Sequence, residues 1–396
     1  MAKKTKQPDQ KTIGIDTVEL SIPIERKLQP NEFHFGATYQ HKVKTSGDDD
    51  SPIKFQDDIT INWSKNLQQY YLPEIHFVDY PCPTGERCYE YQIRRLSLPK
   101  LMYGNNVTEI PADDFEKVLD QLYRELTLLK LPIKITKKQL RNAKVRRVDY
   151  GKNLVFSDGT SMELLSEMLI KTPLRKRSKR GKTQYHEGEL FRDSIKYRAF
   201  IIYDKLAEAK IKSKVPRTAF GSDTPKFDFS KVSPNKKIIR LEVQIQRTKQ
   251  LKIELDRLGF PKEKISFADI FSSEIASAVI SHYWEQTEQA IRRSSSVEII
   301  DSVYMIHRFI QITTNGKGGA CKAFGKLGFN IFADTCGFAR VKALLAERLP
   351  SSSWSRAKAS LFIEATNPDQ FSCLDVITSE LKNMRRLTTK EIESGY

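Results

Sequence analysis

The sequence predicts an α+β protein, with an antiparallel sheet in the first part of the chain and a mostly helical domain in the last. Three observations carry that expectation. Segments rich in β-branched and aromatic residues recur as far as residue 245, periodicity lengthens to helical spacing after about residue 248, and the excess charge stops at nearly the same place. At 396 residues and 39% hydrophobic content, the chain exceeds one average domain and can bury a sizeable core. Wholesale disorder, collagen-like and coiled-coil architectures are thereby excluded. The expected organisation is a disordered lead over 1–12, a sheet domain over 13–250 and a helical domain over 251–396.

Each element follows from its local pattern. Ile13 to Ile24 alternates small or polar with apolar residues, as a half-buried strand does. Phe33 to Val43 and Ile59 to Trp63 read as strands separated by a polar loop, Thr45 to Asp58, and Tyr89 to Leu98 is a further strand. Residues 111–130 place Phe115, Val118, Leu119, Leu122, Leu126 and Leu129 at helical spacing with acidic residues in the first turn, which predicts a helix. Ala143 to Phe156 is strand-like, Met162 to Ile170 a short helix, and Tyr197 to Tyr203 and Lys237 to Ile245 are central strands. Phe267 to Ile291 and Arg340 to Leu349 are helical, and no internal repeat stands out.

The formal net charge of +17 is regional: residues 1–130 sum to −3, residues 131–250 to +18 and residues 251–396 to +2. A mid-chain block carrying the whole excess points to a surface for phosphates. Its densest run, Lys171, Arg175, Lys176, Arg177, Lys179, Arg180 and Lys182, reads as a flexible nucleic-acid-binding arm, the plain alternative being a solvated loop. No apolar run is long enough for a transmembrane helix, and the basic start lacks the apolar region of a secretory signal. Five scattered cysteines, Cys82 and Cys88 among them, read as reduced thiols of a cytoplasmic protein.

Metal-ligand motifs of histidine are absent, since none of the six histidines forms His-x-His or His-Glu-x-x-His. Lys317-Gly318-Gly319-Ala320-Cys321-Lys322 resembles a phosphate loop but has Ala323 where the Mg²⁺-binding hydroxyl should stand, so a glycine turn is the expectation. Acidic residues inside apolar strands are more informative. Asp149, Glu242 and Asp204 each follow or interrupt an apolar run, and a carboxylate there is costly to desolvate unless it meets a cation. Two on neighbouring strands could share Mg²⁺ or Mn²⁺. Alternatively each pairs with its own arginine, Arg147 beside Asp149 and Arg240 beside Glu242. Tyr185, Tyr197 and Tyr203 cluster after the basic run, and a tyrosine hydroxyl can attack a phosphodiester to leave a phosphotyrosine link. Packing residues are the plain alternative for all three.

The motifs Ser97-Leu98-Pro99-Lys100-Leu101-Met102-Tyr103-Gly104, Arg147-Val148-Asp149, Tyr203-Asp204-Lys205-Leu206-Ala207-Glu208 and Leu241-Glu242-Val243 occur in an order that resembles the rolling-circle replication initiators of filamentous phages and plasmids. The opening Ile15-Asp16-Thr17-Val18-Glu19-Leu20 is similar to the first strand of that group, and the resemblance spans roughly residues 13–255. It implies a nicking-closing endonuclease that binds a double-stranded origin, cuts one strand through a tyrosine, leaves a 5′-phosphotyrosine and a free 3′-OH, and later rejoins the strand. It implies Mg²⁺ or Mn²⁺ held by Asp149 and Glu242, with Asp204 as a further ligand. The nucleophile would be Tyr197 or Tyr185, with Tyr197 favoured because it leads into the strand ending at Asp204, and Lys205 would stabilise developing charge. A bacterial host's helicase and polymerase would be the protein partners. Glu189-Leu190-Phe191 stands where many relatives have Thr-Leu-Tyr, and the two-histidine metal motif of better-known rolling-circle enzymes is absent. The rival class is a non-catalytic sequence-specific DNA-binding protein, such as a repressor or partition factor.

Overall fold

The computed structural model describes residues 11–44, 54–61, 71–82, 85–156, 165, 169, 179–185, 188–214, 229–232, 237–295, 372–388 and 391–392. Its centre is a ten-stranded antiparallel sheet in the order β2-β3-β4-β5-β1-β6-β10-β9-β8-β7. The strands are β1 (Ile15–Ile24), β2 (Ala37–Lys44), β3 (Lys54–Ile61), β4 (Glu74–Pro81), β5 (Arg87–Ser97), β6 (Lys144–Phe156), β7 (Lys179–Tyr185), β8 (Gly188–Ile195), β9 (Arg198–Asp204) and β10 (Lys237–Gln246). Each half follows the same path. The chain lays an inner strand, crosses to the outer edge, and returns through three more strands to pair with the inner one: β1 then β2 to β5, and β6 then β7 to β10. The halves meet at the antiparallel β1–β6 pair. The sequence suggests no repeat, yet the topology is one of two equivalent five-stranded halves.

Between and after the strands run α1 (Leu98–Tyr103), α2 (Phe115–Leu128), α3 (Lys137–Arg141), α4 (Lys205–Lys214), α5 (Thr248–Arg257), α6 (Phe267–Ile270), α7 (Ser273–Ser295) and α8 (Ser372–Asn383). Alternation along each strand separates two faces. Val18, Leu20, Ile22, Ile75, Phe77, Tyr91, Ile93, Val145, Val148, Val243, Ile245, Phe200 and Ile202 form a buried apolar side. Helices cover it, as where Phe200 meets Tyr283 of α7 and Arg198 pairs with Glu254 of α5. Phe115, Phe267 and Phe271 join α2 to α6. Burying such aromatic and aliphatic side chains stabilises by about 1.5–3 kcal/mol each. The opposite side is polar. One end of it is closed by a small apolar cluster of Val107, Leu206, Ala209, Ile238, Leu387 and Ile392.

Several expectations change here. The chain forms two compact units, one of residues 1–159, 177–283 and 378–396 and the other of 160–176 and 284–377. Residues 251–283, assigned by periodicity to a helical domain, belong to the sheet unit, because α5 to α7 supply its apolar cover. In the second unit Arg292 pairs with Glu288 and Asp375, and Leu165 and Leu169 are buried. Lys11 and Thr12, placed in the disordered lead, form β-bridges to Arg385 and Pro111. The expected helix Phe267 to Ile291 is interrupted at residues 271–272, and the segment Arg340 to Leu349 and the glycine turn at 317–322 lie outside the described residues. Cys82 and Cys88 form a disulfide across the β4–β5 hairpin instead of standing as free thiols, since antiparallel pairing brings their Cα atoms to 5.6 Å. No helix among the described residues is long and apolar enough to cross a membrane.

Candidate functional site

The polar side gathers charges from four neighbouring strands, β9, β10 and β6 of the second half and β1 of the first. On β10 the alternate residues Arg240, Glu242 and Gln244 share this side, and they face Asn153, Gly151 and Asp149 of β6 across the ladder. On β9 Tyr203 lies opposite Arg240. A bulge at Asp16 in β1 turns that carboxylate to the same side. Burial then forces each polar atom to find a partner.

Glu242 takes three donors. Tyr203 Oη donates to Oε2 at 3.1 Å, Arg240 Nε to Oε2 at 3.3 Å and Gln244 Nε2 to Oε1 at 2.8 Å. Asp149 is gripped by both arms of Arg147, Nε to Oδ1 at 2.8 Å and Nη2 to Oδ2 at 2.7 Å. Arg240 Nη2 lies 3.1 Å from Asp16 Oδ1, and its Nη1 donates to Asn153 Oδ1 at 3.1 Å. Gly151 leaves room for this guanidinium, because a Cβ there would stand 2.6 Å from Arg240 Nη2. Lys205, the first residue of α4, reaches back: its Nζ donates to Tyr203 Oη at 3.3 Å and pairs with Glu208 Oε2 at 2.7 Å.

The electrostatics follow from crowding in a water-poor place. Burial pushes the Asp149 carboxyl up, Arg147 pulls it down, and the charge of Glu242 pushes it up again, leaving a pKa of about 7. Burial and Glu242 hold the Tyr203 phenol well above its ordinary range. Burial opposes the charge on Arg240, but Asp16, Tyr203 and Glu242 outweigh it and hold the guanidinium firmly protonated.

Of the residues singled out from sequence, Asp149, Glu242 and Lys205 come together. Asp204 does not join them: strand alternation turns it away from Tyr203, and its Oδ1 accepts from the backbone N–H groups of Leu206 and Ala207, capping α4. Tyr197 sits in the β8–β9 turn with φ 47°, its ring stacked 3.7 Å from the guanidinium carbon of Arg247. Glu242 pairs with Ile201, so four residues of strand, about 13 Å, separate Tyr197 from that row. Tyr185 ends β7, three strand spacings or about 14 Å from β10. Lys171, Arg175, Lys176 and Arg177 lie outside the described residues, whereas Lys179, Arg180 and Lys182 belong to β7, a strand where a flexible arm is expected.

Sequence reasoning passed over Asp16; it weighed Tyr203 with Tyr185 and Tyr197 without preferring it, and it named Arg147 and Arg240 as the alternative partners of Asp149 and Glu242, the pairing found here. The signal was alternation. In Tyr203-Asp204 only one of two adjacent residues can face Glu242, and Arg240/Glu242 and Arg147/Asp149 stand two apart and so share a face. The carboxylates as they stand suit guanidinium partners better than a divalent ion. Their oxygens are taken by Arg147, Arg240, Tyr203 and Gln244, and no group of three or more His, Cys, Asp or Glu side chains among the described residues converges as metal ligands would.

A second polar cluster lies on the same side of the first half. Glu90 of β5 accepts from Tyr80 Oη at 3.1 Å, from Arg146 Nη1 at 2.9 Å, and from Ser21 and Gln92. Beyond it, His76 lies between Asp58 and Glu74, with Arg94 Nη2 3.1 Å from Asp58 Oδ2.

Against known proteins, no family model matches this chain, and neither a curated protein nor a solved structure matches it.

Proposed function

We propose that this chain nicks and rejoins DNA as a replication initiator, with Tyr203 as the nucleophile. The observation that carries the reading is the position of the Tyr203 hydroxyl, between the Glu242 carboxylate and the Lys205 ammonium, on the polar side of a sheet half whose sequence holds the whole excess of positive charge. In the reaction the phenol proton passes to Glu242 as Tyr203 Oη attacks phosphorus. The O–P bond forms, the bond from phosphorus to the 3′ oxygen breaks, and that oxygen leaves with a proton from Lys205. Rejoining reverses each transfer. Arg240 and Arg147 keep Glu242 and Asp149 in place without themselves reacting. Basic residues of the 131–250 stretch, including the run from Lys171 to Lys182, would hold the duplex backbone.

The test is relaxation of a supercoiled plasmid carrying the cognate origin, with denaturing gels to detect protein-linked DNA, with and without Mn²⁺. Tyr203→Phe should abolish the linkage while Tyr197→Phe and Tyr185→Phe retain it. Linkage surviving in Tyr203→Phe would remove this tyrosine from the chemistry. The saturation of both carboxylates by arginines favours one rival, DNA binding without cutting. That reading expects salt-sensitive binding and no linkage under any condition.

A further inference from the structure

The two halves of the sheet match in residues as well as in path. Glu90 pairs with Val78, and Tyr80 lies two residues beyond Val78 on β4; Glu242 pairs with Ile201, and Tyr203 lies two residues beyond Ile201 on β9. Each tyrosine hydroxyl donates to its glutamate Oε2 at 3.1 Å. In each half the glutamine two residues after the glutamate, Gln92 or Gln244, donates to that glutamate's Oε1. The segments Tyr89-Glu90-Tyr91-Gln92-Ile93-Arg94-Arg95 and Leu241-Glu242-Val243-Gln244-Ile245-Gln246-Arg247 share Glu, Gln, Ile and the final Arg at the same places. That final arginine has positive φ in both, 51° at Arg95 and 72° at Arg247. Side chains with a Cβ rarely adopt such a backbone, so its recurrence at one position argues for a common template and not for chance.

We infer that the chain is an internal duplication and that Tyr80 with Glu90 is a second site, which takes a nucleic-acid strand of the same kind as the Tyr203 site. This inference rests on the nucleic-acid reading above and extends it from one position to two. Tyr80 is only half-buried, and burial and Glu90 raise its phenol to about 12, as burial and Glu242 raise that of Tyr203. Arg146 supplies a partly exposed cation beside Glu90. The positions matching Lys205 and Arg240 are Cys82 and Cys88, joined as a disulfide, so the second site lacks the ammonium that would protonate a leaving oxygen. It therefore binds a strand without cutting it. From Glu90 on β5 to Glu242 on β10, three strand spacings across and about eight residues along, the distance is roughly 30 Å on one side of the sheet, and Tyr80 and Tyr203 on the next strands outward lie further apart.

A tetranucleotide, about 14 Å long when stacked, is too short to touch both. The full-length protein labelled with 3-fluorotyrosine would be titrated with tetrathymidylate and followed by ¹⁹F NMR, the two signals being assigned with Tyr80→Phe and Tyr203→Phe. Both signals should shift, and that of Tyr80 should still shift in Tyr203→Phe and be lost as a reporter of binding in Glu90→Gln. A shift of Tyr203 alone, or loss of the Tyr80 response in Tyr203→Phe, overturns the second site and leaves the proposed function standing. A shift of Tyr80 alone supports the second site and sinks Tyr203 as the reacting group. If neither moves, both readings fall.

Discussion

The two halves of the sheet share a path, a tyrosine–glutamate–glutamine set and a backbone irregularity, yet they differ in what stands next to the tyrosine. In the second half the flanking positions hold Lys205 and Arg240; in the first they hold Cys82 and Cys88. The charge of the chain divides in the same way, −3 over residues 1–130 against +18 over residues 131–250. One scaffold has thus been used twice, once cross-linked and once charged. A disulfide holds a hairpin without demanding counter-ions, whereas a buried arginine requires carboxylates around it. Arg240 accordingly stands between Glu242 of its own strand and Asp16, which β1 of the first half contributes.

Removing the cation from the charged half should have the largest effect. Arg240→Met leaves Asp16 and Glu242 facing each other without compensation, and we expect a loss of about 3–5 kcal/mol in urea unfolding. A loss below about 1 kcal/mol would mean that the carboxylates do not depend on it. Next comes pH. Burial holds Asp149 near pKa 7, above its ordinary 3.8, so the folded state keeps a proton that the unfolded chain releases. The contribution of this group to stability is then full below about pH 4 and falls by a few kcal/mol as pH rises towards 7. Unfolding curves between pH 4 and 7 should slope downward in the native protein and flatten in Asp149→Asn. In the cross-linked half, Cys88→Ser opens a short loop and should cost about 2 kcal/mol, an effect that reductant reproduces in the native protein and not in the variant. Smallest is Gly151→Ala, where the new methyl group displaces the Arg240 guanidinium and should cost about 1–2 kcal/mol. Its counterpart in register is the exposed Pro23, and Pro23→Ala should be nearly silent by the same measurement.

Much of the sheet was legible from alternation. The strands at Ile15–Ile24, Arg87–Ser97, Lys144–Phe156, Arg198–Asp204 and Lys237–Gln246 fall within a few residues of where β-branched and aromatic runs place them, as does the helix Phe115–Leu128. The less apolar β7 and β8 carried no such signal, β4 was missed although Ile75, Phe77, Val78 and Tyr80 make half of it apolar or aromatic, and β3 begins inside a stretch whose acidic residues read as loop. The domain boundary was misplaced for a physical reason: helices that cover a sheet have a different period from its strands, but they share its core. In the site, a carboxylate in a strand was enough to single out Asp149 and Glu242. Choosing between Tyr203 and Asp204 needed the parity of one strand relative to another, which local composition does not carry. The repeat was hidden because its conserved part is a seven-residue segment with four identities, far too short to rise above background until register aligned it.

Among the described residues β2 and β7 are the outermost strands of the sheet. An outermost strand invites pairing with another chain, and charged residues along it, lysine above all, are a known way to prevent it. Lys42 and Lys44 lie on one rim and Lys179, Arg180 and Lys182 on the other. Neutralising the β7 cations would then remove a guard against edge pairing, and solubility would have to be checked before any test of the proposed DNA binding.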